Sequence, residues 1–306
     1  GLVGLSISYA LQFTTALNYM VRRAGELETN IVSVERIKEY TQLDCEHEEN
    51  PHSFLLPKGW PAKGEIKFEN YSTRYREGLD LVLNGLSCII TGGEKVAIVG
   101  RSGAGKSSIA LALFRLIEAS DGSIYIDGCK ISDMALHNLR SRLTILPQDP
   151  YVFSDTLRVN IDPHNNCTDE QVWNVLEQAH LKSFVLELPA GLNYECSEGG
   201  QHFSLGQLQL ICLARALLHK TNILILDEAT AAVDMETDNL IQRTIREEFK
   251  DSTVLTIAHR LNTIMDYDRI MVLDKGQIRE FDSPANLLKH KCSIFYGMAK
   301  EADLVS

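Results

Sequence analysis

The sequence predicts an α/β protein in which a mostly parallel sheet is joined by an antiparallel β unit and a helical unit. The parallel sheet is indicated by apolar runs that alternate with helical spacing, because strands buried on both faces read as continuous apolar stretches. These runs lie at residues 95–99, 143–146, 222–226, 253–257 and 270–273. Earlier strand-like segments lie beside turn dipeptides, at residues 65–70, 81–90 and 123–126, and are expected to pair antiparallel. Between residues 155 and 220 helical spacing dominates.

The chain opens with an uncharged stretch, residues 1–20, which Arg22 and Arg23 follow directly. A secretory signal peptide carries its positive charge before its apolar run, so this order argues against one. Basic residues after the run are typical of a transmembrane helix whose cytoplasmic end lies near residue 21. Polar side chains within the stretch suit a helix packed in a bundle: Ser6, Ser8, Gln12, Thr14, Thr15 and Asn18. A buried helix of a soluble domain is the alternative.

Three segments follow from these patterns. Residues 1–43 are expected to be the end of a membrane domain, because apolar residues three to four apart continue the helix beyond residue 21. Residues 44–63, with several acidic residues and prolines, predict an exposed linker. Residues 64–306 are expected to form the α/β unit, and we expect the whole chain to be a piece of a larger membrane protein.

Short local motifs mark turns and helix starts within the α/β unit. The turn dipeptides are Asn84-Gly85, expected to form a hairpin, and Asp127-Gly128. The helix starts are a capping box at Thr168 and Gln171 and the pair Ser283-Pro284. Residues 208–218 are apolar nearly all round and predict a well-buried helix.

Composition argues against several classes of function. The formal net charge of the 306 residues is −11, and no basic stripe runs along a predicted helix, so a nucleic-acid partner is not expected. The cysteines are scattered without a C-x-x-C pair, which disfavours zinc and redox motifs and suits reduced thiols in the cytosol.

A glycine-rich loop lies between the predicted strand at 95–99 and a helical stretch at 108–116, which is the context that a phosphate-binding loop requires. Its residues follow the pattern G-x-x-x-x-G-K-S: Gly100, Arg101, Ser102, Gly103, Ala104, Gly105, Lys106 and Ser107. The glycines let backbone N–H groups face phosphate oxygens at a positive helix N-terminus. Lys106 is expected to reach the β- and γ-phosphates, and the Ser107 hydroxyl to bind Mg²⁺. The flanking elements disfavour the alternative, a turn with a chance lysine.

Two carboxylates, Asp227 and Glu228, end the apolar run at residues 223–226. Open α/β sheets bind ligands at the carboxyl ends of their strands, so Asp227 is expected to hold Mg²⁺ and Glu228 to polarise an attacking water. An ordinary acidic turn is the alternative, which the upstream phosphate-binding loop disfavours. His259 follows another strand and is placed to contact a γ-phosphate, although a lone histidine is more often structural.

The segment Ser204-Leu205-Gly206-Gln207, followed by residues 208–217, resembles the LSGGQ signature of ATP-binding cassette (ABC) proteins. The order of phosphate-binding loop, Gln148, signature, Walker B acids and His259 matches that family from Gly64 to about Ala299. The phrases at residues 147–150, 227–234 and 35–40 are typical of subfamily C exporters, the multidrug resistance-associated proteins, and of their second cassette. Departures from the pattern are Phe203 before the signature serine, Leu205 in place of glycine, and Asp155.

The resemblance implies a P-loop NTPase (RecA-like) core with a helical signature subdomain, and it assigns further residues. Tyr75 resembles the aromatic residue that stacks on adenine, because a flat ring can stack on a base without specific hydrogen bonds. The alternative is that Tyr75 is a half-exposed aromatic residue of a strand. Gln148 resembles the glutamine that senses Mg²⁺ and couples to the membrane domain, and Asp234 ends a segment that crosses the interface between cassettes. Nucleotide contacts are also expected from Ser108 and from the signature: Ser204, Gly206 and Gln207.

The resemblance also implies the activity. Two cassettes of one multi-pass membrane protein sandwich ATP and Mg²⁺ head to tail on the cytoplasmic side, with the phosphate-binding loop of one and the signature of the other at each site. Hydrolysis would then drive export of organic anions or their conjugates. A nucleotide-sensing channel or channel regulator is the alternative within subfamily C. A soluble cassette acting on ribosomes or DNA is disfavoured by the membrane-like start and the acidic charge.

Overall fold

The computed structural model describes residues 1–43, 46, 56–227, 233–258, 260–302 and 304. Its internal contacts divide the chain into two units, Gly1–Glu49 and Asn50–Ser306. The first unit contains one long helix, α1 (Leu2–Thr41). The second unit contains two sheets and the remaining helices of the described residues.

Helix α1 is continuous over 40 residues, which confirms the predicted helical character of this region. Several of its hydroxyls, such as that of Thr14, donate to the backbone carbonyl four residues earlier, which satisfies them within the helix. Among the described residues, no helix is both long and apolar enough to cross a membrane. The polar side chains within residues 1–20 lower the apolar character of that stretch.

The larger sheet carries the buried apolar runs. Its strands are β3 (Lys95–Gly100), β6 (Thr144–Leu146), β7 (Ile223–Asp227), β8 (Thr253–Ile257), β9 (Arg269–Asp274) and β10 (Gln277–Asp282). Their spatial order is β10-β9-β3-β8-β7-β6, and all neighbours pair in parallel except β9 and β10. The predicted parallel sheet is therefore confirmed. Its edge strand β10 is antiparallel and was not predicted, because its sequence mixes charged and apolar residues.

The smaller sheet is antiparallel, as predicted, and has the order β2-β1-β4-β5. Its strands are β1 (Ile66–Thr73), β2 (Leu83–Ile90), β4 (Ala119–Ile126) and β5 (Cys129–Lys130). The hairpin predicted at Asn84-Gly85 is wrong, because both residues lie inside β2. Gly85 has a φ of 64° there, and the register between β1 and β2 shifts beside it. The dipeptide therefore forms a bulge.

The helices of the second unit lie between and after these strands along the chain. They are α2 (Lys106–Leu113), α3 (Leu136–Arg140), α4 (Leu157–Ile161), α5 (Asp169–Gln178), α6 (Lys182–Glu187), α7 (Leu205–Leu218), α8 (Met235–Glu248), α9 (Pro284–Lys289) and α10 (Ile294–Glu301). The capping box at Thr168 and the start at Ser283-Pro284 are confirmed. Helix α7 is buried along most of its length, also as predicted.

Part of the predicted exposed linker belongs to the folded unit. Trp60 is 4% exposed, and its indole N–H donates to the carbonyl of Ile126 at 3.0 Å. The Asp127 carboxylate accepts backbone N–H groups from residues 63–65. Burial pushes the pKa of Asp127 upward, but these backbone hydrogen bonds together hold it below its usual value. The folded unit thus begins before Gly64, and the residues between Thr41 and Trp60 are only partly among those described.

Candidate nucleotide-binding site

The phosphate-binding loop connects β3, in the middle of the parallel sheet, to α2. Gly105 caps α2 with a φ of 100°, and a Cβ there would lie 2.8 Å from Leu83 Cδ2. At Gly100 an added Cβ would lie 2.4 Å from the carbonyl oxygen of Leu273. Both positions therefore exclude larger side chains. Residues 101–103 are exposed at the turn, so their backbone is open to a ligand at the helix N-terminus.

Lys106 is the first residue of α2 and is only 6% exposed. Its ammonium donates to the carbonyl oxygens of Gly100 at 2.9 Å and Arg101 at 3.3 Å. The charge is therefore held inside the loop at the N-terminus of a helix. An anion in the loop fits this arrangement, because it would meet the ammonium and the helix N-terminus together.

Ser107 and Asp227 lie side by side at the carboxyl edge of the sheet. The Ser107 hydroxyl donates to the Asp227 carboxylate at 3.3 Å, although the two residues come from α2 and from the end of β7. Among the described residues no three His, Cys, Asp or Glu side chains cluster as a metal cage. An Mg²⁺ that takes one carboxylate, one hydroxyl and phosphate oxygens fits this donor set, because Mg²⁺ is usually bound with substrate phosphates.

Tyr75 and Ser108 are joined by a hydrogen bond. The Tyr75 hydroxyl lies 2.9 Å from Ser108 Oγ, and the Tyr75 side chain is half exposed. Ser108 is the third residue of α2, so the bond places the aromatic ring beside the phosphate-binding loop. A ring in this position can meet a base whose phosphates occupy the loop.

Gln148 follows β6 by two residues. Leu146 at the end of β6 pairs with Leu226, the residue before Asp227. The parallel register therefore brings the start of this loop to the same sheet edge as the predicted metal ligand. The Gln148 residue is exposed, and its backbone carbonyl accepts a hydrogen bond from Gln209 of α7 at 3.2 Å.

The signature segment forms the start of α7. Ser204 and Gln207 make a reciprocal capping box, with Ser204 Oγ accepting the Gln207 N–H and Gln207 Oε1 accepting the Ser204 N–H. Gly206 lies against α8, where an added Cβ would come within 3.2 Å of Thr237 Cγ2. Phe203 makes edge-to-face contacts with Phe184 and Tyr194, so this departure from the family pattern is a core residue. The capping-box pattern was present in the sequence but unrecognised.

Asp234 is the N-cap of α8, and its carboxylate accepts the Thr237 N–H at 2.9 Å. This backbone hydrogen bond is the largest cause of a pKa below the usual aspartate value. Glu228, residues 229–232 and His259 lie outside the described residues. Their predicted roles therefore stay predictions, although the strands that precede Glu228 and His259 are described.

Comparison with known proteins gives the same family for the whole chain and for its core. Residues 83–231 match the family model described as ABC transporter. Human ATP-binding cassette sub-family C member 3 is 60% identical over 304 residues, which are 99% of this chain and 20% of that protein. Multidrug resistance protein mrp-7 of Caenorhabditis elegans is 59% identical over 302 residues, which are 99% of this chain and 20% of that protein. Metal resistance protein YCF1 of Saccharomyces cerevisiae is 58% identical over 307 residues, which are 100% of this chain and 20% of that protein.

Among solved structures, a bacterial Atm1-family ABC exporter with ATP bound superposes with a TM-score of 0.82 and 34% identity. The match covers 90% of this chain and 48% of the exporter chain. The present chain spans about a fifth of the length of the curated relatives it matches.

Proposed function

Because this chain belongs to the ABC transporter family, and to the multidrug resistance-associated proteins of its subfamily C, we propose that it is the second nucleotide-binding cassette of an exporter that binds and hydrolyses ATP with Mg²⁺. The observation that carries the proposal is the meeting of Lys106, Ser107 and Asp227 at one edge of the sheet. A buried ammonium beside a hydroxyl–carboxylate pair supplies what a triphosphate and its metal need.

Each described residue has a task in the proposed site. Lys106 and the loop backbone hold the β- and γ-phosphates, and Tyr75 stacks on adenine. Ser107, Asp227 and Gln148 hold Mg²⁺, which neutralises developing charge on the phosphates when bound. Glu228 polarises the attacking water and His259 contacts the γ-phosphate; both assignments come from the order of the motifs along the chain.

The signature is proposed to serve the ATP of a partner cassette. Ser204 is exposed at the start of α7, a 14-residue helix whose N-terminus carries partial positive charge. In the described part of the chain, the Ser204 and Gln207 side chains bond only to each other's backbone N–H groups. This supports a half-site in which the phosphate comes from outside, on the first cassette of the same longer protein.

The membrane domain is proposed to contact the surface beside Gln148. A groove of about 470 Å³ lies there, lined in part by Pro147, Tyr151, Arg215 and His219. Tyr151 and Phe153 are exposed by 45% and 56% and contact each other edge to face at 5.2 Å. Exposed aromatic side chains of this kind are typical of interfaces. A partner that moves this surface would also move the Gln148 loop.

The longer protein is proposed to export organic anions or their conjugates across a membrane, with this cassette on the cytoplasmic side. The similarity to multidrug and metal resistance proteins over nearly the whole chain supports an exporter. Residues 1–43 are proposed to belong to its membrane domain, packed among other helices that shield the polar side chains.

Lys106→Ala tests the nucleotide site directly. We expect MgATP affinity to fall by tenfold or more, because loss of a charge-assisted phosphate contact costs about 1.5–3 kcal/mol. Lys291→Ala, which removes an exposed lysine elsewhere, is the control and should leave affinity unchanged. The measurement is equilibrium binding of a fluorescent ATP analogue, with thermal unfolding to show that both variants fold. Equal affinity in the two variants would refute the site.

A further inference from the structure

Helix α7 is attached to the loop that contains Gln148 through the side chain of Gln209. Gln209 is only 1% exposed and lies near the start of the helix that begins after Ser204. Its amide nitrogen donates to the carbonyl oxygens of Pro147 at 3.3 Å and Gln148 at 3.2 Å. Both amide hydrogens thus hold the loop backbone, and neither hydrogen bond uses the Gln148 side chain.

The other end of the same amide has no partner. Gln209 Oε1 is buried, and no hydrogen bond reaches it among the described residues. A buried carbonyl oxygen without a donor costs free energy. An apolar side chain of similar size would avoid that cost, and Leu208 and Leu210 beside it are apolar. The contribution of Gln209 therefore lies in its donor end.

A second attachment lies further along α7. The Arg215 guanidinium donates to the carbonyl oxygen of Tyr151 at 2.7 Å and to that of Asn160 at 2.5 Å. The guanidinium also donates to Asn160 Oδ1 at 3.1 Å. Two side chains of α7, those of Gln209 and Arg215, thus hold residues 147–160 to the helix. Because both side chains belong to α7, we expect the Gln148 loop and the signature segment at the start of α7 to move together.

We propose that Gln209 is a positioning residue for Gln148, and that it fixes the backbone from which Gln148 reaches Mg²⁺ relative to Ser204. The inference rests on the proposed function for the role of Gln148, while the attachment itself is a property of the described contacts. Removing the two hydrogen bonds should loosen the backbone at residues 148–153. The Mg²⁺ requirement should rise while ATP affinity, which depends on Lys106 and Tyr75, is retained.

The test compares Gln209→Met with wild type and with Ile211→Val. Methionine keeps the length of glutamine and its helix propensity but donates no hydrogen bond. Ile211 is buried in the same helix and makes no polar contact, so its variant measures simple loss of packing. Amide hydrogen exchange of residues 148–153 and MgATP affinity are measured on the 306-residue chain. The Mg²⁺ concentration at half-maximal ATPase rate is measured on the full-length transporter.

We expect exchange at residues 148–153 to be about tenfold faster in Gln209→Met only, because two hydrogen bonds are lost. MgATP affinity should stay within about twofold, and the Mg²⁺ requirement should rise several-fold. If Gln209→Met does not fold, Gln209→Leu gives the same test, since leucine also donates no hydrogen bond. Unchanged exchange, or faster exchange with an unchanged Mg²⁺ requirement, would overturn the proposal. Failure of the wild-type chain to bind MgATP would instead contradict the proposed function.

Discussion

At the scale of single residues, the predicted nucleotide ligands fall into two groups. Lys106, Ser107, Ser108, Tyr75 and Asp227 contact one another or the loop between β3 and α2. The signature residues are held within α7 and its contact with α8. Separation of these groups fits the proposed half-site, in which one set would serve the ATP of this cassette and the other set that of a partner cassette.

Two variants of Tyr75 distinguish the contribution of ring stacking from that of its hydrogen bond to Ser108. Tyr75→Leu should raise the dissociation constant for ATP about tenfold, because base–aromatic stacking contributes about 1–3 kcal/mol. Tyr75→Phe keeps the ring and loses only the bond to Ser108, so its effect should be smaller than about fivefold. Equilibrium titration with ATP distinguishes the two. Equal affinity of the leucine variant and wild type would remove Tyr75 from the site.

Glu228 is the predicted general base. Glu228→Gln should slow single-turnover hydrolysis about 10²–10⁴-fold in the full-length protein, because glutamine cannot take a proton from water. ATP occupancy should persist, because glutamine keeps the size of glutamate and the proposed ligands Lys106, Ser107 and Asp227 are unchanged. Wild-type hydrolysis by this variant would mean that another group activates the water.

At the scale of secondary structure elements, the sequence predicted what depends on local pattern and missed what depends on a distant partner. Strands β3, β7 and β8 were predictable because burial on both faces makes their sequences apolar throughout. Strand β10 was missed because it pairs at an edge and mixes charge with apolar residues. The sequence Asn84-Gly85 is typical of a hairpin turn, and only the register between β1 and β2 shows that it forms a bulge.

The same distinction applies to the site. The phosphate-binding loop and the Walker B acids, Asp227 and Glu228, could be predicted because their chemistry requires a fixed spacing. Gln209 was not, because its task depends on the carbonyl oxygens of residues 147–148, which are distant in sequence. Trp60 was placed in a linker because prolines and acidic residues dominate its neighbourhood, although it packs against the start of the folded unit.

Asp127 anchors that start and gives a pH-dependent prediction. Its folded-state pKa lies below the ordinary value of 3.8, so its stabilising contribution is present above that value and is lost as the pH falls through the folded pKa. Asp127→Asn should lower Tm at neutral pH by about 2–4 °C, as loss of about 1 kcal/mol does in a domain of this size. Asparagine suits the left-handed backbone at this position.

The difference in Tm between wild type and Asp127→Asn should shrink below pH 3.8. Thermal unfolding followed by circular dichroism over this range measures it. A difference that stays constant with pH would show that the anchoring role of the carboxylate is wrong. Asp121→Asn, on an exposed part of β4, is the control and should show no such trend.

At the scale of the whole molecule, the cassette is proposed to work only as part of a longer protein. The chain spans about a fifth of the length of its curated relatives, so a longer protein of that length has room for the proposed membrane domain and first cassette. An exporter and a nucleotide-gated channel or regulator would behave differently in two measurements on that longer protein. ATP-dependent uptake of an organic anion into inside-out vesicles would indicate an exporter, whereas nucleotide-gated single-channel current without uptake would indicate a channel or regulator.

The most direct test of the half-site is ATP hydrolysis by this chain with and without the first cassette. Alone, the chain should bind MgATP yet hydrolyse it slowly, because in the proposed half-site Ser204 and the phosphate-binding loop of one cassette serve different ATP molecules. Adding the first cassette through a tether, which raises its effective concentration, should increase the rate, and Lys106→Ala should remove the increase at this site. Fast turnover that is linear in concentration, from a chain shown to be monomeric, would contradict the account.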